Sequence, residues 1–265
     1  MKAHALILIL ASLLGNFAGA QEWARARLEK SPRHREWVKV KSGDREVNCF
    51  VVYPEVKDKA TAVLVVHEIF GLSDWARDVA DELAEAGYIA IAPDLLSGMA
   101  PGGGGTAEIG GTDAAVKAVS ALPPTQVTAD LNAAANYVTQ LPSCNGKLVV
   151  AGFCWGGGQS FRYSTDNPKL RAAFVFYGPP PAPETMSRIH CPVYGFYGGN
   201  DNRISSTIPR AKDDMKQAGK SYDPVTYDGA GHGFMRGGEA PDARPADKAA
   251  REKAWKRWKE LLEKI

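Results

Sequence analysis

Residues Val149 to Gly158 read VVAGFCWGGG. A β-branched run leads straight into Gly152-Phe153-Cys154-Trp155-Gly156. This is the G-x-S-x-G strand–turn–helix pattern with cysteine in the nucleophile position. The turn is so tight that small residues must stand two positions before and after the central one. The thiol then projects above the carboxyl end of a strand. The following helix aims its positive N-terminal end at the sulfur, which favours thiolate. A buried cysteine in a glycine-rich packing turn is the competing reading. A dinucleotide loop fits poorly, because G-x-G-x-x-G needs a glycine where Cys154 stands. The other glycine run, Pro101 to Gly105, lacks the Gly-Lys-Ser/Thr of a phosphate loop.

Strand-like and helix-like segments alternate on both sides of this turn. Val47–Tyr53, Ala62–Val66, Tyr88–Ala92, Lys147–Ala151, Ala172–Tyr177, Val193–Tyr197 and Pro224–Tyr227 read as strands. Trp75–Ala86, with Asp74 as a cap, reads as a helix, as do Pro124–Leu141, Ile208–Ala218 and Ala246–Ile265. The last carries Trp255, Trp258, Leu261 and Leu262 on one stripe. Gln21–Arg35 reads as a short surface helix or arm, and Ser97–Gly111 as a loop. Continuous apolar strands between helices predict an α/β fold with a mostly parallel central sheet and helices on both faces. No long linker interrupts the pattern, so residues 21–265 are expected to form one domain.

Two further residues complete the chemistry that a cysteine at this turn needs. Asp201 follows the strand Val193–Tyr197, and His232 follows the last strand on a glycine-flanked loop. Both positions lie at the carboxyl rim of a parallel sheet. The chain order of nucleophile, acid and histidine is that of a hydrolase triad. His232 would take the thiol proton and return it to the leaving oxygen, while Asp201 fixes the imidazole tautomer. Asp213, Asp214 and Asp228 are rival acids. His4, His34 and His190 read as solvated side chains.

Composition narrows the function classes. Lys+Arg is 32 against Asp+Glu 30, for a net charge of +2. That balance gives no basic face for nucleic acid. Lys2, the apolar run Ala5–Leu14 and Ala18-Gly19-Ala20 fit a cleavable signal peptide over residues 1–20, cut after Ala20. The expected location is periplasmic or secreted, with no membrane span after cleavage. Four cysteines are too few for a disulfide scaffold. Cys49 reads as a core residue. Cys144 and Cys191 could form a disulfide or remain separate thiols. No metal or other cofactor is expected, and a monomer is.

His67-Glu68-Ile69-Phe70-Gly71, Ala92-Pro93-Asp94-Leu95, Gly152 to Gly157, Asp201 and Gly231-His232-Gly233-Phe234 together resemble the dienelactone hydrolase (carboxymethylenebutenolidase) family of the α/β-hydrolase fold. The resemblance runs from about Val38 to the C-terminus. It implies hydrolysis of small esters or lactones through an acyl-cysteine on Cys154. It also implies that Glu68 contacts the resting thiol and helps activate it, and that Ile69 and Trp155 supply backbone donors to an oxyanion. Arg236 resembles one of the family's two substrate-carboxylate arginines, but Gly98 stands where the second is expected. Phe70, Tyr177 and Phe234, with Trp155, are expected to shape an apolar pocket or pack beside it. His67 is expected to shape the turn. A broader carboxylesterase, or a binding protein on the same fold, remains the alternative.

Overall fold

The computed structural model describes residues 21–265. The reading of residues 1–20 as a signal peptide lies outside them. Eight strands form one sheet: β1 (Arg35–Ser42), β2 (Arg45–Val52), β3 (Ala60–Val66), β4 (Ile89–Pro93), β5 (Cys144–Phe153), β6 (Ala172–Phe176), β7 (Val193–Gly198) and β8 (Tyr222–Tyr227). Their order is β1-β2-β4-β3-β5-β6-β7-β8. The β1–β2 and β2–β4 pairs are antiparallel, and every pair from β4 to β8 is parallel. The predicted α/β architecture therefore holds.

Helices cover both faces. On one side, α3 (Thr112–Ser120), α4 (Pro124–Thr139), α5 (Trp155–Asp166) and α7 (Ile208–Gln217) pack Val119, Leu131, Phe161 and Met215 against Leu64, Val150 and Val175. On the other, α1 (Glu22–Lys30), α2 (Asp74–Glu85) and α9 (Pro245–Leu262) press Leu28, Trp75 and Trp258 onto Val65, Phe153 and Phe174. The strands β3, β4 and β6 are buried along their whole length. This is why they read as unbroken apolar runs rather than alternating ones. No described helix is long and apolar enough to cross a membrane.

Several details depart from the sequence reading. Strand β1 was not expected, because EWVKVKS alternates with charged residues that face water at the sheet edge. Helix α3 lies just past the expected loop. Ser73, not Asp74, caps α2: its hydroxyl accepts from the Ala76 N–H, and Asp74 is the first helical residue. The segment from Gln21 takes the helical one of its two expected forms, and α1 is docked on α2 with Ala24 and Leu28 buried. Strand β5 already begins at Cys144, and all four cysteines are free thiols, so Cys144 and Cys191 are not joined.

Charge ties α1 to the opposite end of the chain. Arg27 pairs with Asp78 of α2 and with Glu239, 2.7 Å away. Arg251 of α9 bonds both carboxylate oxygens of Glu82, at 2.7 and 2.6 Å, and also holds Glu239. Glu239 follows the short helix α8 (Phe234–Gly237), so the network braces the segment behind His232.

Candidate active site

The turn after β5 is as tight as its glycines imply. Cys154 stands at φ 56°, in the left-handed region that L side chains seldom enter. A Cβ at Gly152 would run into the Gly156 carbonyl. One at Gly156 would strike the carbonyls of Val66 and His67. The glycines thus let α5 start directly against the end of β3, which brings Cys154 beside Glu68 and Ile69.

Three strand ends converge on the sulfur. The Nε2 of His232, after β8, lies 3.1 Å from Cys154 Sγ, and its Nδ1 lies 2.5 Å from Asp201 Oδ2, after β7. The Asp201 side chain is only 5% exposed and that of His232 is 32% exposed. A carboxylate can only accept here, so Nδ1 carries the proton and Nε2 faces the thiol as a base. The loops carrying these residues are joined by backbone bonds from Gly199 to Tyr227 and from Asn200 to Ala230, at 2.8 and 2.9 Å.

Two opposing influences set the thiol's resting state. Burial, and then the Glu68 carboxylate, push Cys154 up from its ordinary pKa. The Trp155 and Ile69 backbone N–H groups pull in the opposite direction, as does the Arg203 charge. Burial and Glu68 outweigh the helix end, so the resting sulfur is a thiol rather than a thiolate. The buried Cys49 and Cys191 thiols are pushed up to about 12, chiefly by burial.

Glu68 is 2% exposed. It is an ion-pair partner, one of the two roles the sequence left open for it beside contact with the thiol. Its Oε2 accepts from Arg236 Nε at 2.7 Å, and its Oε1 from the Tyr177 hydroxyl at 3.3 Å. It reaches the thiol through charge, with no hydrogen bond between them. The Glu68 charge raises the Arg236 pKa, and the guanidinium also lies 5.2 Å over the Phe70 ring. Arg236 is therefore engaged by protein through its Nε, while its side chain remains 30% exposed at the cleft beside Phe70.

Tyr177 and Phe234 do not line an open pocket, because both are fully buried. Tyr177 packs edge-on against the His232 ring, 5.1 Å away, and Phe234 packs on Tyr177. They back the triad, and Tyr177 also positions Glu68. Tyr177 directly follows β6 at φ 40°, immediately before Gly178. A cleft of about 420 Å³ adjoins Phe70 and Arg236 and is lined also by Leu72, Arg77, Thr106 and Thr112. Its rim is fixed by Asp94, which accepts from the Thr106 N–H and hydroxyl, both at 2.7 Å. Gly98 lies at the other end of that loop, at φ 78°, and puts no side chain there. Among the described residues, no cluster of His, Cys, Asp and Glu is arranged to hold a metal ion.

Comparison with known proteins identifies the family. The model of the dienelactone hydrolase family matches residues 47–265. A protein of Methylorubrum extorquens, provisionally named a carboxymethylenebutenolidase, is 32% identical over 237 residues, spanning 84% of this chain and 78% of its own. A relative with the same provisional name in Escherichia coli K12 is 31% identical over 228 residues, covering 76% and 74% of the two chains. A crystal structure from Klebsiella pneumoniae, provisionally named a dienelactone hydrolase, superposes with a TM-score of 0.77 at 27% identity. It covers 88% of this chain and 99% of its own.

Proposed function

The chain belongs to the dienelactone hydrolase family, and from that premise we propose that residues 21–265 form one catalytic domain that hydrolyses small esters or lactones through an acyl-cysteine on Cys154. One observation carries the reading: Cys154 Sγ, His232 and Asp201 form an unbroken line of hydrogen bonds.

His232 Nε2 takes the thiol proton as sulfur attacks the substrate carbonyl carbon. Negative charge grows on the carbonyl oxygen, and the N–H groups of Ile69 and Trp155 stabilise it. Such donors contribute roughly 3 kcal/mol each. The tetrahedral intermediate collapses, its carbon–oxygen bond breaks, and His232 protonates the leaving oxygen. In a lactone that oxygen stays tethered to the acyl chain. Water then gives a proton to His232, attacks the thioester carbon and releases the acid, and the proton returns to sulfur. Asp201 holds the imidazole in the required tautomer throughout.

The resting thiol makes the step conditional. An anionic substrate that draws Arg236 away would leave Glu68 without its counter-charge, and the carboxylate would then be free to move or take up a proton. Either event lowers the cost of forming thiolate. The broader carboxylesterase reading is favoured by Gly98, since one arginine gives less carboxylate selection than two. We further propose export through a leader over residues 1–20, cleaved after Ala20.

The direct test is turnover of 4-nitrophenyl acetate and of a cyclic enol lactone by the reduced protein, with intact-mass analysis for acyl transfer. Cys154→Ala is expected to abolish turnover and the acyl adduct. Wild-type rates in that variant would remove Cys154 as nucleophile. Folded, reduced wild-type protein that turns over no ester would favour a binding role.

A further inference from the structure

His67 is fully buried, and burial lowers its pKa so that the ring stays neutral. Its Nδ1 lies 2.7 Å from the Glu68 carbonyl oxygen. A carbonyl only accepts, so Nδ1 carries the proton. The other nitrogen, Nε2, is buried with no partner. A histidine kept for its ring alone has no need of that one bond.

The bond acts on a particular peptide. The Glu68 C=O and the Ile69 N–H belong to the same unit, which is planar and trans, so they point in opposite directions. Holding the oxygen on one side fixes the hydrogen on the other. That N–H is one of the two backbone groups that pull the Cys154 pKa down against burial and Glu68. The Gly71 N–H reaches the same carbonyl at 3.2 Å, a longer contact than the His67 bond. The His67 ring also lies nearly parallel to the Trp155 indole, with centroids 5.6 Å apart and planes 15° from coincidence. Trp155 supplies the other of those two N–H groups.

We propose that His67 is a positioning residue for the oxyanion hole: its Nδ1–H locks the Glu68–Ile69 peptide in the orientation that aims the Ile69 N–H at developing charge. This rests on Cys154 being the nucleophile. Rotation of the unsecured peptide would turn a carbonyl oxygen toward the oxyanion and replace attraction by repulsion. The transition state suffers more than substrate binding, so the effect falls on kcat rather than KM.

Two variants of the full chain separate donor from ring. His67→Phe keeps an aromatic ring but has no N–H, whereas His67→Asn carries an amide donor near the Nδ1 position and loses the ring. With 4-nitrophenyl acetate, His67→Phe is expected to lose kcat by about 10- to 100-fold, with KM within about twofold. Its Cys154 alkylation profile with iodoacetamide should move to higher pH, because a misdirected Ile69 N–H no longer stabilises thiolate against Glu68. His67→Asn should recover most of the lost kcat and return the profile toward wild type. Wild-type kcat in His67→Phe overturns the assignment, as does a folded His67→Asn that is equally slow. Should His67→Phe fail to fold, His67→Ala replaces it in the same comparison. Cys154→Ala, measured alongside, keeps the premise separate: turnover there removes the cysteine reading whatever His67 does.

Discussion

Gly198 lies where the acid-bearing and base-bearing loops touch, and Gly198→Ala tests whether their spacing sets the rate. A Cβ at this position would stand 2.6 Å from the carbonyl oxygens of both Ala230 and Gly231, the two residues before His232. Those oxygens would have to retreat by about 0.4 Å to reach a bare 3.0 Å contact, and by about 0.8 Å to reach 3.4 Å. The Ala230 oxygen is already tied to the Asn200 N–H at 2.9 Å, so the loops cannot part without straining that bond. Carried through to the triad, the movement lengthens the 2.5 Å bond between Asp201 and His232. Overpacking of this kind costs about 1–3 kcal/mol. For a chain of this size that is a fall in Tm of roughly 2–10 °C. Misplacement approaching 1 Å in a catalytic group lowers kcat by up to about 100-fold. Thermal melts and steady-state kinetics measure both. Gly237→Ala is the control, since its Cβ would make only an ordinary 3.8 Å contact with Asp247. A Gly198→Ala protein with wild-type Tm and kcat would refute the claim that the two loops fix the triad's spacing.

Asp201→Asn should lower kcat by about 10³- to 10⁴-fold while leaving KM nearly unchanged, because the amide no longer enforces the tautomer with Nε2 free; a loss below tenfold would count against Asp201 as the orienting acid. Glu68→Gln removes the negative charge beside Cys154 and leaves the Arg236 cation unneutralised. Both changes favour thiolate, so the iodoacetamide rate–pH profile should move to lower pH, and an unmoved profile would exclude Glu68 as a cause of the raised thiol pKa. Arg251→Met leaves Glu82 and Glu239 facing each other with less counter-charge, at about 3 kcal/mol in urea unfolding. Burial and Glu239 push Glu82 up to about 8, above its unfolded 4.5, so the native state gains protons as pH falls between those values. Without the Arg251 cation Glu82 is pushed higher still, so the deficit of Arg251→Met should shrink as pH falls from about 10 to about 8 and change little below that, and a deficit equal at pH 10 and pH 8 would argue against that charge origin.

The central strands were legible in the sequence because burial on both faces leaves no alternation to confuse them. Strand β1 was not, because half of it faces water. The positions of Cys154, Asp201 and His232 could be read from glycine spacing and chain order, both local properties. What Glu68 touches could not. Its contacts with Tyr177 and Arg236 span 109 and 168 residues, and no periodicity encodes them. The charge network was invisible for the same reason, with Arg251 meeting Glu82 across 169 residues. The helix end and the Glu68 carboxylate, with their opposite pulls on the thiol, were both legible from motifs, whereas the burial that tips the balance is a product of packing. Tyr177 and Phe234 were identifiable as neighbours of the chemistry, but not as its backing.

The strand order has a consequence for synthesis. The β1-β2-β4-β3 portion is complete once residue 93 has emerged, yet β3 pairs on its other side with β5, whose last bridged residue is Gly152. Until then the most apolar strand of the protein is an unprotected sheet margin, the kind that recruits other chains. Translation at about 5–20 residues per second leaves that margin open for several seconds. Nascent chains should therefore depend on holding factors during one definable interval, which closes when the strand leading to Cys154 leaves the ribosome.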